Sequence, residues 1–379
     1  MEFSYSREQE MVKKMLKDFA ETEIAPISEE IDAEAKYPYE TVAGLGKLGI
    51  MGMPFPEEYG GAGSDYLTYI MGVEEISKVD ASHGVIVQTH NALCCWPIFT
   101  YGTEEQKRKY LPKLLSGEHL GAFGLTEPNA GTDAAMQQTT AKDMGDHWLL
   151  NGSKIFISGG GIADVYVVMA MTDKTKGNKG ISAFIVEKGM PGFSRGKKEN
   201  KMGIRGSIAA ELVFEDCVVP KENLLGGLGK GFKVAMSSLD VGRLGIAAQA
   251  LGIAQGAFDQ TVEYMKQRKQ FGRSLNKFQA LAFEMADMKT RIDGSRFLLY
   301  NAANRRDRGL PSTVEAAQAK LSCSETASYV VDKAVQFHGG YGYIKDYPVE
   351  RMYRDQKITE IYEGTSEVMK MVISGDIFK

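Results

Sequence analysis

The sequence predicts an α+β multidomain chain: an N-terminal helical domain over residues 1–120, a central antiparallel β domain over 121–228 and a C-terminal four-helix-bundle domain over 229–379. Three observations predict it. At 379 residues the chain is long enough for two or three domains. Its apolar residues change period twice, from helical spacing to strand-like runs near Gly121 and back to helical spacing near Gly231. Its 42 glycines exceed the usual share of about 7%. They are densest between 121 and 230, where a sheet with many turns uses them.

Residues 6–35 read as helix, with Met11, Met15, Phe19 and Ile24 at helical spacing ahead of Pro26. Residues 39–48 read as a shorter helix, residues 59–63 as a loop, and residues 66–78 and 104–115 as two more helices closed by Gly117. In the middle domain, residues 148–150 and 153–157 flank Asn151-Gly152 and read as a tight hairpin, because Asn-Gly supplies the positive φ angles of a type I′ turn. Residues 165–171 and 181–186 are β-rich runs joined by a Lys/Gly/Asn loop, and residues 210–219 form a strand ending at Pro220. Beyond Gly231 three apolar stripes follow, from Leu244 to Met265, from Phe278 to Leu299 and from Val314 to Val335, the last stopping at Gly339-Gly340. Stripes of that length and width suit bundled helices with surface left for neighbouring subunits.

The 45 basic and 49 acidic residues give a net charge of −4 without long runs of one sign, which argues against a nucleic-acid partner. With 43% hydrophobic and 25% charged residues, disorder is excluded as the main state. The longest wholly apolar run, residues 165–171, falls far short of the roughly 20 residues a membrane helix needs, so no membrane insertion is expected. Cys94, Cys95, Cys217 and Cys323 form no disulfide framework, which suits a reducing compartment. Residues 1–9 are polar and charged, unlike a secretory signal. The histidines are scattered without ligand spacing, so no metal is expected. Residues 44–49 match GxGxxG literally, but they follow a helix-like segment rather than a strand, and read as a helix end and turn.

Three segments are harder to explain by packing. Residues 125–133 offer Thr126, Thr132 and flexible backbone where the helical domain meets the sheet. Such groups can donate to a polar ring or a phosphate, and an N-cap with a turn explains them equally well. Asp240-Val241-Gly242-Arg243 lies early in the first long helix, where the macrodipole disfavours a cation. A specific anionic partner and a surface salt bridge both account for Arg243. Residues 361–367 set Glu363 among apolar and aromatic neighbours. Desolvated, Glu363 gains basicity and becomes a general base; solvated, it is an ordinary helix-terminal glutamate.

In this order and layout, residues 125–133, 267–272 and 336–342, Arg354-Asp355 and residues 361–367 jointly resemble the acyl-CoA dehydrogenase family, nearly end to end. The resemblance implies FAD held non-covalently between the β domain and the C-terminal helices. It implies Phe123, Leu125, Thr126 and Thr132 on a flavin-contacting strand and turn, and Phe156 and Ser158 on the strand facing the ring. Many members carry Trp and Thr where this chain has Phe156 and Ser158; the hydroxyl is kept and the aromatic neighbour changes. Arg268, Phe271 and Gln279, and then Gln336, Gly339 and Gly340, match positions that reach the FAD of a neighbouring subunit. Thr365 and Glu367 match positions at the adenosine end, with Gln common at the latter. Thr132, Asp240, Arg243, Tyr362 and Gly364 match acyl-CoA contacts.

Glu363 matches the catalytic base of the short- and medium-chain branches. Long-chain and isovaleryl-type relatives carry the base just before the arginine, a position held here by Gly242. The implied reaction is a step of fatty-acid β-oxidation. Glu363 takes the α-proton of a short, straight or branched acyl-CoA, a β-hydride passes to flavin N5, and trans-2-enoyl-CoA results. The backbone N–H of Glu363 and a ribityl hydroxyl stabilise the enolate-like charge. The implied electron acceptor is an electron-transfer flavoprotein, and the implied assembly a homotetramer built as a dimer of dimers. The implied location is the bacterial cytoplasm, or the mitochondrial matrix after loss of a leader. Alternatives on the same fold are a glutaryl-CoA-type dehydrogenase and an enoyl-CoA reductase; from another class, a non-catalytic assembly protein.

Overall fold

The computed structural model describes residues 5–379. Its helical first part contains α1 (Arg7–Phe19), α2 (Ser28–Glu34), α3 (Tyr39–Lys47), α4 (Tyr66–Ser77), α5 (Ala81–Thr89), α6 (Trp96–Tyr101) and α7 (Glu104–Leu115). Ser6 opens α1 with a capping box: its hydroxyl accepts from the Gln9 N–H and its own N–H donates back to Gln9 Oε1. Asp65, Asp80 and Thr103 cap α4, α5 and α7, each accepting from the N–H three residues on. Residues 6–35 are not one rod. After α1 comes a π-helical turn (Ala20–Ile24) and a 3₁₀ turn holding Pro26, because proline cannot continue the hydrogen-bond ladder. Helical spacing does not single out residues 81–101, yet α5, a π-helical stretch (His90–Cys95) and α6 fill them. That segment is buried on almost every face, and a helix buried all round shows no apolar stripe.

The middle of the chain is a sheet of β1 (Gly121–Gly124), β2 (Thr140–Asp143), β3 (His147–Ser158), β4 (Val165–Met171), β5 (Ile181–Glu187), β6 (Phe193–Lys198), β7 (Ala209–Pro220) and β8 (Leu224–Leu225). Its order is β6-β7-β3-β2-β4-β5-β8, with β1 laid against β4. Most pairs are antiparallel, but β1 enters from the helical part and runs parallel to β4, so the sheet is mixed. The hairpin expected at Asn151-Gly152 does not form. β3 passes straight through it, and Gly152 sits at a register shift between the pairs Leu150–Cys217 and Gly152–Phe214. Both β2 and β7 pair along β3, so a reversal there would forfeit two ladders. Asn151 is tied to β7 instead, donating to Asp216 Oδ1 at 3.0 Å and accepting from the Asp216 N–H at 2.9 Å. The turn falls earlier, at Gly145 with φ 98°.

The last part holds α8 (Gly231–Gln267), a small hairpin of β9 (Lys269–Gln270) and β10 (Arg273–Ser274), α9 (Gln279–Asp307), α10 (Thr313–His338), α11 (Val349–Gln356) and α12 (Ser366–Ile377). α8, α9 and α10 pack together, and α12 lies on α10. α8 also packs on α4 and α5, so one apolar core runs through both helical parts. The sheet keeps a core of its own around Trp148, Tyr166, Phe184 and Phe214. Polar clasps fix the sheet to the helices. Asp355 of α11 accepts from the Ile204 N–H, Arg205 donates to the Asp32 carbonyl, and Ser82 of α5 accepts from the Gly206 N–H.

Gly152 has φ 139°, and a Cβ there would lie 2.7 Å from Thr139. Gly152→Ala is therefore expected to lower the thermal midpoint, at a cost of about 1–3 kcal/mol. A melting curve that coincides with wild type would contradict the bulge.

Candidate active site

A 3₁₀ turn (Lys357–Glu360) leads out of α11, and α12 begins after Thr365, whose hydroxyl accepts from the Val368 N–H. Between them the backbone turns through two consecutive left-handed residues, Glu363 at φ 52° and Gly364 at φ 103°. Glycine adopts this freely, whereas glutamate does so only when its surroundings force it. Here two cations hold the turn. Arg243 of α8 donates from Nε to the Glu363 carbonyl at 3.4 Å, and Lys320 of α10 donates from Nζ to the Gly364 carbonyl at 2.6 Å.

The turn aims the Glu363 carboxylate at α8. Gln88 of α5 donates from Nε2 to Glu363 Oε1 and to the Gly242 carbonyl, both at 2.9 Å. Oε2 is shielded from solvent and has no hydrogen-bond partner among the described residues. Burial pushes the carboxyl up to about 7, while the Gln88 bond and the charges on Lys320 and Arg243 pull it down without cancelling the effect. Of the two sequence readings of its surroundings, desolvated and solvated, the geometry shows a desolvated carboxyl rather than a solvated helix end. Position 242 must be glycine for this: a Cβ there would overlap Glu363 Oε2.

Arg243 lies well inside α8, beyond the reach of the helix-end dipole, so the expected macrodipole conflict does not exist. It is a buried guanidinium paired with Asp240 Oδ1 at 2.6 Å, and Asp240 Oδ2 accepts from Thr313 at 2.9 Å. Tyr362 donates its hydroxyl to Gln249 Oε1. Tyr362, Glu363, Gly364, Asp240 and Arg243 are thus brought together. Gln88 and Lys320 complete the cluster, and sequence reasoning missed both. The signal for them was a polar residue inside an otherwise apolar helical run.

The remaining positions lie elsewhere. Phe123 and Leu125 are buried on and just after β1, with Thr126 half-exposed beside them. The Thr126 carbonyl accepts from the Ile155 N–H at 2.9 Å, which sets Thr126 next to the end of β3. There Phe156 is 63% exposed at φ 59°, and Ser158 follows, half-buried. Lys154 anchors this corner from below: fully buried, it pairs with Glu127 Oε1 at 2.6 Å. Thr132 is exposed on the following turn, and Glu367 is exposed on α12. Arg268, Gln336, Gly339 and Gly340 line a cavity of about 520 Å³ that shares no residue with the Glu363 cluster. The Arg268 guanidinium lies 5.4 Å from the Tyr341 ring centre and forms no ion pair among the described residues. Phe271 and Gln279 are exposed nearby in sequence, Phe271 almost entirely.

Models of the N-terminal, middle and C-terminal domains of acyl-CoA dehydrogenase match residues 6–118, 122–217 and 229–378. The chain belongs to the acyl-CoA dehydrogenase family. It is 61% identical to a short-chain-specific acyl-CoA dehydrogenase of Clostridium acetobutylicum, with all of both chains covered. The solved butyryl-CoA dehydrogenase of Megasphaera elsdenii matches it at a TM-score of 0.99 and 53% identity over 100% of both chains. A chain solved with the electron transferring flavoprotein of Acidaminococcus fermentans as its stated subject matches at 0.99 and 55%, again over all of both chains.

An acyl-CoA dehydrogenase is a flavoprotein, and FAD is its cofactor. The surface around β1 and β3 fits that group. There Phe156 exposes a ring and Ser158 and Thr126 present hydroxyls; in the separate cavity Gly339 and Gly340 leave open space where a Cβ would stand, beside Arg268, which has no ion pair among the described residues.

Gly242→Ala is expected to displace the Glu363 carboxylate and reduce acyl-CoA turnover about 10²-fold while FAD stays bound. Unchanged turnover would show that the carboxylate has room to spare. The raised pKa of Glu363 also has a stability signature. Below about pH 4.5 the group is protonated in both states and costs nothing; between there and about 7 the unfolded chain ionises while the fold stays protonated, so stability falls across that window and levels off above it. The thermal midpoint of Glu363→Gln should therefore gain on wild type between about pH 4.5 and 7 and run parallel above. A constant difference across that window would contradict the desolvated carboxyl.

Proposed function

We propose that this acyl-CoA dehydrogenase oxidises a short-chain acyl-CoA to the trans-2-enoyl-CoA, with Glu363 as the base that removes the α-proton. One observation carries the reading. Glu363 Oε2 is a shielded carboxylate oxygen with no partner among the described residues, on a group held near neutral pKa. Such an oxygen is free to accept a proton from a weak carbon acid, and its pKa suits a base working near pH 7.

The same turn supplies the second requirement. The turn that Arg243 and Lys320 hold by its Glu363 and Gly364 carbonyls also carries the Glu363 N–H. That N–H donates to the thioester carbonyl and stabilises the charge that develops as the α-proton leaves. Asp240, Arg243, Thr132, Tyr362 and Gly364 contact the acyl-CoA. Gln88 restrains the carboxylate and fills space beside it, which supports a short acyl chain, as does the 61% identity to a short-chain-specific enzyme. FAD, when bound, supplies the acceptor for the β-hydride. Phe123, Leu125, Thr126, Phe156 and Ser158 would hold its ring, and Thr365 and Glu367 its adenosine end.

Arg268, Phe271, Gln279, Gln336, Gly339 and Gly340 reach the FAD of a second subunit. Their separation from the Glu363 cluster supports this, as do the exposed Phe271 and Phe283 beside them. The assembly is a homotetramer, a dimer of dimers, with domain boundaries near residues 120 and 228. Electrons leave to an electron-transfer flavoprotein, a partner supported by the likeness to the Acidaminococcus fermentans chain. The bacterial relatives support a cytoplasmic setting.

Glu363→Gln should keep FAD and bind acyl-CoA, yet lose flavin bleaching by butyryl-CoA by about 10²-fold or more. Bleaching at the wild-type rate would remove Glu363 from the role. A wild-type protein that no acyl-CoA bleaches would overturn the activity itself.

A further inference from the structure

Lys320 is a buried titratable group beside the Glu363 turn that the proton transfer does not use. It stands on α10 in the middle of an apolar stripe, and its side chain is fully buried. A buried ammonium is costly unless it is paired, and carries three donors to satisfy. Lys320 forms no ion pair among the described residues; it donates a hydrogen bond to the Gly364 carbonyl. A methionine would fill the same space without that cost. Packing alone therefore does not explain a lysine here.

Its charge has one buried counterpart. Burial pulls the Lys320 ammonium down to about 8, and the Glu363 carboxylate is the strongest influence holding it up. Reciprocally, Lys320 is the stronger of the two cations holding the Glu363 carboxyl down. The other charged groups around the pair offset each other in part. Arg243 on α8 is neutralised by Asp240, while Glu360 before the turn and Glu367 on α12 act on Lys320 from the solvent side. Tyr66 and Tyr69 of α4 face Glu363 and stay neutral, their phenols pushed up by burial.

We propose that Lys320 is a positioning residue for the base: through the Gly364 carbonyl it holds the left-handed Glu363–Gly364 turn, and it supplies the buried positive charge that the ionised Glu363 faces. The inference rests on Glu363 being the base. It assigns two separable duties to one ammonium, a donor and a charge. Lys320→Gln keeps a donor and removes the charge; Lys320→Met removes both.

The test is made on the FAD-loaded protein with Glu carboxyls labelled with ¹³C. The infrared band lost in Glu363→Gln identifies the Glu363 carboxyl, and its pH titration needs no substrate. Both lysine variants should retain FAD and shift the Glu363 midpoint upward by about one pH unit, the range expected for losing a nearby opposite charge. With butyryl-CoA, the bleaching rate at pH 7 should drop about tenfold in Lys320→Gln and recover above pH 8.5, with KM unchanged. Lys320→Met should lose more and recover only in part, because its turn is loosened. An unmoved midpoint in both variants would overturn the inference, and so would failure of both to fold with FAD, which would make Lys320 a packing cation. If wild type bleaches with no acyl-CoA, the activity falls, and the infrared midpoint still judges Lys320.

Discussion

The site depends on a backbone conformation that a glutamate does not choose. Glu363 and Gly364 both sit at positive φ, and only a fixed surround keeps a non-glycine residue there. That surround comes from three helices distant in sequence. α8 gives Arg243 to one carbonyl, α10 gives Lys320 to the next, and α5 gives Gln88 to the carboxylate. The turn in return sets the carboxylate against Gln88 and Gly242. The missing side chain at Gly242 is as necessary as the cations, since any Cβ would take the place of Oε2. A side chain before Arg243 and the Glu363 carboxylate in this place therefore exclude one another by volume.

The three parts of the chain serve that arrangement. α8 is shared by both helical parts, so Gln88 and Lys320, borne by helices that both pack on it, keep register with Glu363. The sheet is fixed to α11, α2 and α5 through Asp355, Asp32 and Ser82, which hold residues 204–206 just ahead of the Ala209 that pairs with Ser158. Asp355 is buried beside Asp80, and burial raises its carboxyl to about 7, so this clasp is polar and water-poor rather than a simple ion pair. Lys154 and Glu127 make a second buried pair beneath Thr126. Buried pairs of this kind add little net stability but penalise misplacement of either partner.

Much of this was legible in the sequence, for reasons that can be named. Helices with one apolar face, such as α1 and α7, announce themselves by period, and Glu363 stood out as a lone carboxylate among apolar neighbours. The α5–α6 segment did not, because burial on every side erases the period. Asn151-Gly152 carried a genuine turn signature, overruled by pairing on both sides of β3. Arg243 was noticed for a wrong reason: its helix starts earlier than its motif suggested. Gln88 and Lys320 act across 275 and 44 residues of sequence, and no local pattern encodes a contact of that kind.

The most direct measurement is exchange of the α-hydrogens of a 3-thia-acyl-CoA, which can lose the α-proton but not a β-hydride, in D₂O with the FAD-loaded protein. Deuterium should enter the α-carbon at a rate that rises with pH through about 7 and disappears in Glu363→Gln. Exchange that persists at the wild-type rate in Glu363→Gln, or that is the same at pH 5 and pH 9, would contradict a desolvated Glu363 acting as the base.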